Sequence, residues 1–196
     1  MLKKVTIILL FTVGTTLLHG QEQRPGNQNF PLVITLEFHS LSMPFKEMFS
    51  NFSNIGIGIG TELYFNNNPE WGQRFSLVWF GNKQVGNGLL FYTQAFWRPT
   101  LTGDAFGEVK GGIGYILAQR PVRSFRPQNG DWEPVGKRGK GMLTVPLGVG
   151  LGTYSFSEDR QFNHQLGYQF LVLTNYNQSV PVVPETLIQV GTATRF

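Results

Sequence analysis

The chain has 196 residues and a formal charge of +4; it holds 24 glycines and no cysteine, and 14% of its residues are aromatic and 14% charged. The missing cysteine excludes thiolate metal centres and disulfide scaffolds, and many aromatics with modest charge exclude a disordered chain. A mean hydropathy just below zero excludes a bundle of transmembrane helices, each needing ~20 apolar residues.

Positions 1–20 read as a secretory signal peptide. Lys3 and Lys4 precede a largely apolar run over 5–18, and small Gly20 precedes the polar run Gln21-Glu22-Gln23-Arg24-Pro25. As a helix that run measures about 21 Å, short of a ~30 Å hydrocarbon core, so cleavage near Gly20 is expected rather than anchoring. Residues 21–31 form a lead-in, and 32–196 one domain.

No amphipathic helix follows. Segments of period two, separated by turn-rich stretches, predict eight strands over 32–39, 54–65, 74–80, 88–98, 105–117, 141–153, 162–173 and 186–196. In the second, Ile55, Ile57 and Ile59 alternate with Gly56, Gly58 and Gly60. In the sixth, Leu143, Val145, Leu147, Val149 and Leu151 oppose Thr144, Pro146, Gly148, Gly150 and Gly152. The connections alternate between long and short, with 118–140 the longest; only 81–87 is short where a long loop is expected. Such asymmetry is that of an up-and-down barrel crossing an outer membrane.

A soluble ligand-carrying barrel turns its apolar face inward, a membrane barrel turns it outward. The second face decides between them. It carries Glu37, Glu62, Arg74, Gln94, Arg98, Glu108, Lys110, Gln165, Gln169, Gln189 and Arg195 among many glycines. On a water-facing surface those glycines would weaken the strands without return; inside a narrow barrel they make room for long polar side chains. Trp97 shares the apolar phase at the short-turn end, where an aromatic girdle belongs. The expected fold is therefore all-β, an eight-stranded antiparallel up-and-down transmembrane barrel.

By strand count, loop asymmetry and the final Phe196, the stretch from about residue 30 to 196 resembles the small eight-stranded bacterial outer-membrane barrels, the OmpX-like and OmpA transmembrane-domain families. The resemblance implies residence in a Gram-negative outer membrane, with outer-membrane lipid, lipopolysaccharide, the barrel-assembly machinery and another envelope protein as partners. It also implies that Phe196, on one face with Ile188, Val190, Thr192 and Thr194, acts as an assembly signal.

Three constellations bear on function. Glu37, Glu62, Arg74, Arg98, Glu108, Lys110 and Arg195 are expected to plug the lumen as a charge network, because buried charges must be paired. A gated leak is the alternative use of the same residues. Arg120, Arg123, Arg126, Lys137, Arg138 and Lys140 against Asp131 and Glu133 make the longest loop basic; facing outward, guanidinium groups there would meet lipopolysaccharide phosphates or a partner. Glu37, His39, Ser40 and Ser42 offer the residue types of an esterase, but alternation turns His39 inward and Ser40 outward, so no catalytic residue is assigned. His164 is expected to face lipid. No cofactor, metal or nucleic acid is expected, and a monomer is. The role read from these residues is structural or interactive: envelope integrity, adhesion, or barrel subunit of a complex. A small leak pore, a lipid A hydrolase and a soluble carrier follow in that order.

Overall fold

A computed structural model describes residues 30–40, 43, 52, 54–65, 70–81, 87–119, 124–128, 130–136, 139–157, 160–176 and 180–195. The signal-peptide segment, Ser42, Arg120, Arg123, Lys137, Arg138 and Phe196 lie outside the described residues, as do the side chains of Arg126 and Arg195.

The strands are β1 (Leu32–Ser40), β2 (Ile55–Tyr64), β3 (Trp71–Phe80), β4 (Gly88–Trp97), β5 (Thr100–Thr102), β6 (Ala105–Ala118), β7 (Ser124–Gln128), β8 (Asp131–Gly136), β9 (Lys140–Ser157), β10 (Arg160–Thr174) and β11 (Val182–Arg195). Eight of them close a barrel in the order β1, β2, β3, β4, β6, β9, β10, β11 and back to β1. Every pairing is antiparallel. Closure leaves no open edge, so the ladders satisfy backbone groups that lipid cannot. β5 pairs only with β6, in the turn between β4 and β6. β7 and β8 form a separate two-stranded hairpin within the longest loop.

The strands run further than period-two patterning indicates. β3 begins at Trp71, which the sequence places in a turn, because Trp71 pairs across the ladder with Trp97 and their rings stack at 5.7 Å. The 154–161 stretch, expected as a connection, is mostly ladder, with Ser157 opposite Arg160. Lys140, expected within the basic loop, is the first residue of β9, and its Nζ donates to the Tyr176 carbonyl. The β7–β8 hairpin lies in a stretch whose patterning indicates only a loop. Its signal was the dipeptide Asn129-Gly130, the two-residue turn such a hairpin needs; Gly130 has φ of 90°, which glycine adopts without strain.

The two faces sort as a membrane barrel requires. Ile55, Ile57 and Ile59 are exposed, as are Leu143, Val145, Leu147, Val149 and Leu151, while Gly56 and Gly58 between the isoleucines are buried. Glu37, Glu62, Arg74, Arg98, Glu108 and Lys110 are buried in the lumen. Ile57, 59% exposed in mid-strand, decides which medium lies outside. Ile57→Arg is expected to cost roughly 2–4 kcal/mol in lipid vesicles. Urea titration of the reconstituted protein measures it; an unchanged midpoint would place water against that face.

Candidate functional site

The lumen has two tiers. At the short-turn end, β2, β3 and β6 contribute Glu62, Arg74, Glu108 and Lys110, and the chain leaving β4 contributes Arg98. Arg98 Nη1 and Nη2 donate to the two Glu62 carboxylate oxygens at 2.9 and 2.5 Å, and Nε donates to Glu108 Oε2 at 2.6 Å. One planar fork thus holds two acids, a geometry lysine lacks. Arg74 Nε donates to Glu62 Oε1 at 2.8 Å, and its Nη2 donates to Glu108 Oε2 at 3.1 Å and Gln165 Oε1 at 2.8 Å. Tyr64 donates to Glu62 Oε2 at 2.7 Å. The Arg98 guanidinium lies 4.1 Å from the Phe96 ring centroid and 5.4 Å from that of Phe106, where the ring faces attract a cation.

The network continues toward mid-barrel. Lys110 Nζ is 3.0 Å from Glu108 Oε1 and donates to Gln189 Oε1 at 2.7 Å. Gln189 Nε2 donates to Glu37 Oε1 at 2.7 Å, and Thr35 donates to the same oxygen at 3.1 Å. Gln94 donates to Gln169, and Gln169 to Gln189, at 3.1 and 3.0 Å. Two carboxylates, Glu62 and Glu108, pair with the three cations Arg74, Arg98 and Lys110, while Glu37 is held by the neutral Gln189 and Thr35. Desolvating each ion costs several kcal/mol, which only a closely paired, hydrogen-bonded set offsets. The glycines opposite are part of the fit: a Cβ on Gly148 would stand 3.0 Å from Lys110 Cε and 2.9 Å from Gln169 Cγ.

The second tier, at the long-loop end, is apolar. Val78, Phe80, Leu90, Tyr92, Ile116, Met142, Leu171, Leu173 and Leu187 form one buried cluster. The expected charge plug lies at the short-turn end; the apolar cluster is an addition to it that period-two patterning does not include. Its signal was present in the loop-ward strand ends, where Leu77-Val78-Trp79-Phe80 and Phe170-Leu171-Val172-Leu173 are apolar on both faces. A packed cluster of this kind, with the buried His39 and Glu185 beside it, obstructs the lumen independently of the charges below it.

The remaining sites are placed as follows. His39 is buried, 3.5 Å from Glu185 Oε2 and stacked on Phe80 with centroids 4.2 Å apart; neither ring nitrogen has a hydrogen-bond partner among the described residues. Ser40, expected to face outward, is buried too. At the end of β1, Phe52 packs on Phe38 on the outward face and Asn54 is hydrogen-bonded to the His39 backbone. His164 is exposed and stacks on Phe162. No group of three or more metal-ligating side chains occurs among the described residues.

A closed eight-stranded barrel with an apolar exterior and a packed lumen has the fold of the small outer-membrane β-barrels. Solved structures share it, among them the following two. Neisserial surface protein A matches with a TM-score of 0.61 and 9% identity over 87% of this chain and 99% of that one. Ail, the attachment invasion locus protein of Yersinia pestis, matches with a TM-score of 0.52 and 16% identity over 85% and 97%. No protein-family model and no curated protein matches the sequence.

Two outcomes follow from the tiers. Arg98→Leu removes one of the two arginines that Glu62 and Glu108 share and leaves Arg74 alone between them; it is expected to lower stability by roughly 3–5 kcal/mol, read by urea titration in vesicles. In planar bilayers, polar replacement of the apolar tier (Leu90→Ser with Ile116→Ser) is expected to admit ionic current. Neutralising the charged tier (Glu62→Gln with Arg98→Gln) is expected to leave the barrel closed.

Proposed function

We propose that this protein resides in the outer membrane of a Gram-negative bacterium as a monomeric, non-enzymatic barrel that acts through its surface loops rather than its lumen. The observation that carries this reading is the doubly filled interior. Among the described residues, five paired ions fill one end of the barrel and an apolar cluster the other, which leaves little room for a solute. What varies freely on such a scaffold is the loop end. There the longest connection carries an excess of arginine and lysine with Phe125 and Trp132 exposed. Lipopolysaccharide phosphates, or another envelope or surface protein, are the ligands such a loop suits. The shared fold with a Neisserial surface protein and a Yersinia attachment protein fits a surface role. A signal peptide over 1–20 and assembly-machinery recognition of Phe196 complete the proposal.

Trypsin added to intact cells expressing the protein is expected to cut within 119–139 and nowhere in the barrel. The folded barrel should keep a heat-modifiable mobility in SDS gels. Cleavage only after lysis would remove the loop from the cell surface; steady conductance of the wild type in planar bilayers would restore the leak-pore reading.

A further inference from the structure

The β7–β8 hairpin is two-faced. In its register Phe125 lies opposite Pro134 and Pro127 opposite Trp132, so these four share one face. The alternate register positions are Arg126 opposite Glu133 and Gln128 opposite Asp131. Phe125 is 56% and Trp132 69% exposed, and the hairpin forms no ladder with the barrel. A two-stranded hairpin is marginal in water on its own. One that presents phenylalanine, tryptophan and two prolines on one side therefore wants a surface to lie on.

We propose that this face rests on the membrane's own outer surface, at the headgroup–acyl boundary beside the barrel. Three observations favour lipid. The first is continuity with the lipid-facing belt. The hairpin is inserted between β6 and β9, whose last outward residues on this side, Leu117 and Leu143, are exposed apolar side chains. Only three residues separate β8 from β9, so the hairpin's base stays within about 14 Å of the rim. The second is composition. Aromatic side chains on an otherwise polar element belong at a membrane interface; the hairpin's own charges are Arg126 against Asp131 and Glu133, and the cations complementary to anionic headgroups are Arg120, Arg123, Lys137 and Arg138, which flank it in the sequence. The third is the prolines. Pro127 and Pro134 each lack an N–H, which blunts the hairpin's edges against strand addition by another protein or a second copy. This inference rests on the membrane placement proposed above and assigns that loop a first contact, its own leaflet.

The test uses fluorescence quenching by lipids brominated near the headgroup, in vesicles of phosphatidylcholine with phosphatidylglycerol. One full-length variant keeps Trp132 alone (Trp71→Phe, Trp79→Phe, Trp97→Phe). A second keeps Trp79 alone, an outward residue of β3 within the belt. Both are expected to lose emission to the brominated lipid, and Trp132 to resist aqueous iodide. Trp132 emission should recover in vesicles without phosphatidylglycerol more than Trp79 emission does. Quenching of Trp79 with Trp132 unquenched and open to iodide would overturn the inference while leaving the barrel's insertion standing. Shielding of Trp132 from iodide without lipid quenching, rising with protein-to-lipid ratio, would overturn it in favour of a second copy. If neither tryptophan is quenched, the membrane placement fails and this inference with it. Should the triple replacements not fold, Trp132→Phe alone in the otherwise native chain must remove a shallowly quenched, iodide-resistant part of the emission; no change in either would overturn the proposal.

Discussion

Backbone amides that face hydrocarbon have no water to bond to, and everything else in this fold answers that constraint. The ladder must close, and eight strands close around an interior only as wide as the side chains that fill it. Each inward residue is therefore both wall and filling. Glycine columns on β2 and β9 are not slack in the strands; they are the recesses into which Lys110, Gln169, Phe106 and others reach. The outside, by contrast, asks only for apolar surface of the right height.

The charged tier and the apolar tier solve the filling problem in different ways. Charges tie distant strands together with direction: Arg98 joins the β4–β6 turn to β2, and Gln189 joins β11 to β1 and β6. Such bonds are costly to leave incomplete, so they fix which strands meet and in what register. The apolar cluster is tolerant of exchange but excludes water, which strengthens the ion pairs beneath it by keeping the local dielectric low. Register thus comes mainly from one end and closure from the other.

Much of this was legible in the sequence, and the reason is the period of two. Ile55, Ile57 and Ile59 against glycine could only be an outward face once Glu62, Arg74 and Glu108 occupied the other. The same logic hid the apolar tier. Where both faces are apolar, as at Leu77-Val78-Trp79-Phe80, alternation carries no information about which side is which. Trp71 was missed because Asn66-Asn67-Asn68-Pro69 signals a turn so strongly that the following residues were absorbed into it; its cross-strand partner Trp97 shows where the ladder resumes. The Arg98 fork was unreadable for a different reason. That one guanidinium serves two acids on separate strands depends on barrel stagger, which no local pattern encodes.

The outward apolar stripe of β9 runs only over positions 143–151, after which Thr153 and Ser155 take its place on the same face. Eight steps of about 3.3 Å, tilted by about 40°, rise roughly 20 Å along the bilayer normal. A hydrocarbon layer of ordinary thickness, about 30 Å, overtops that belt and would have to pucker inward to meet it. Mismatch thus becomes a sorting force: the barrel is at ease in a thin membrane and strains a thick one. In a thick membrane it would draw around itself a collar of compressed lipid in which neighbours of similar height would gather.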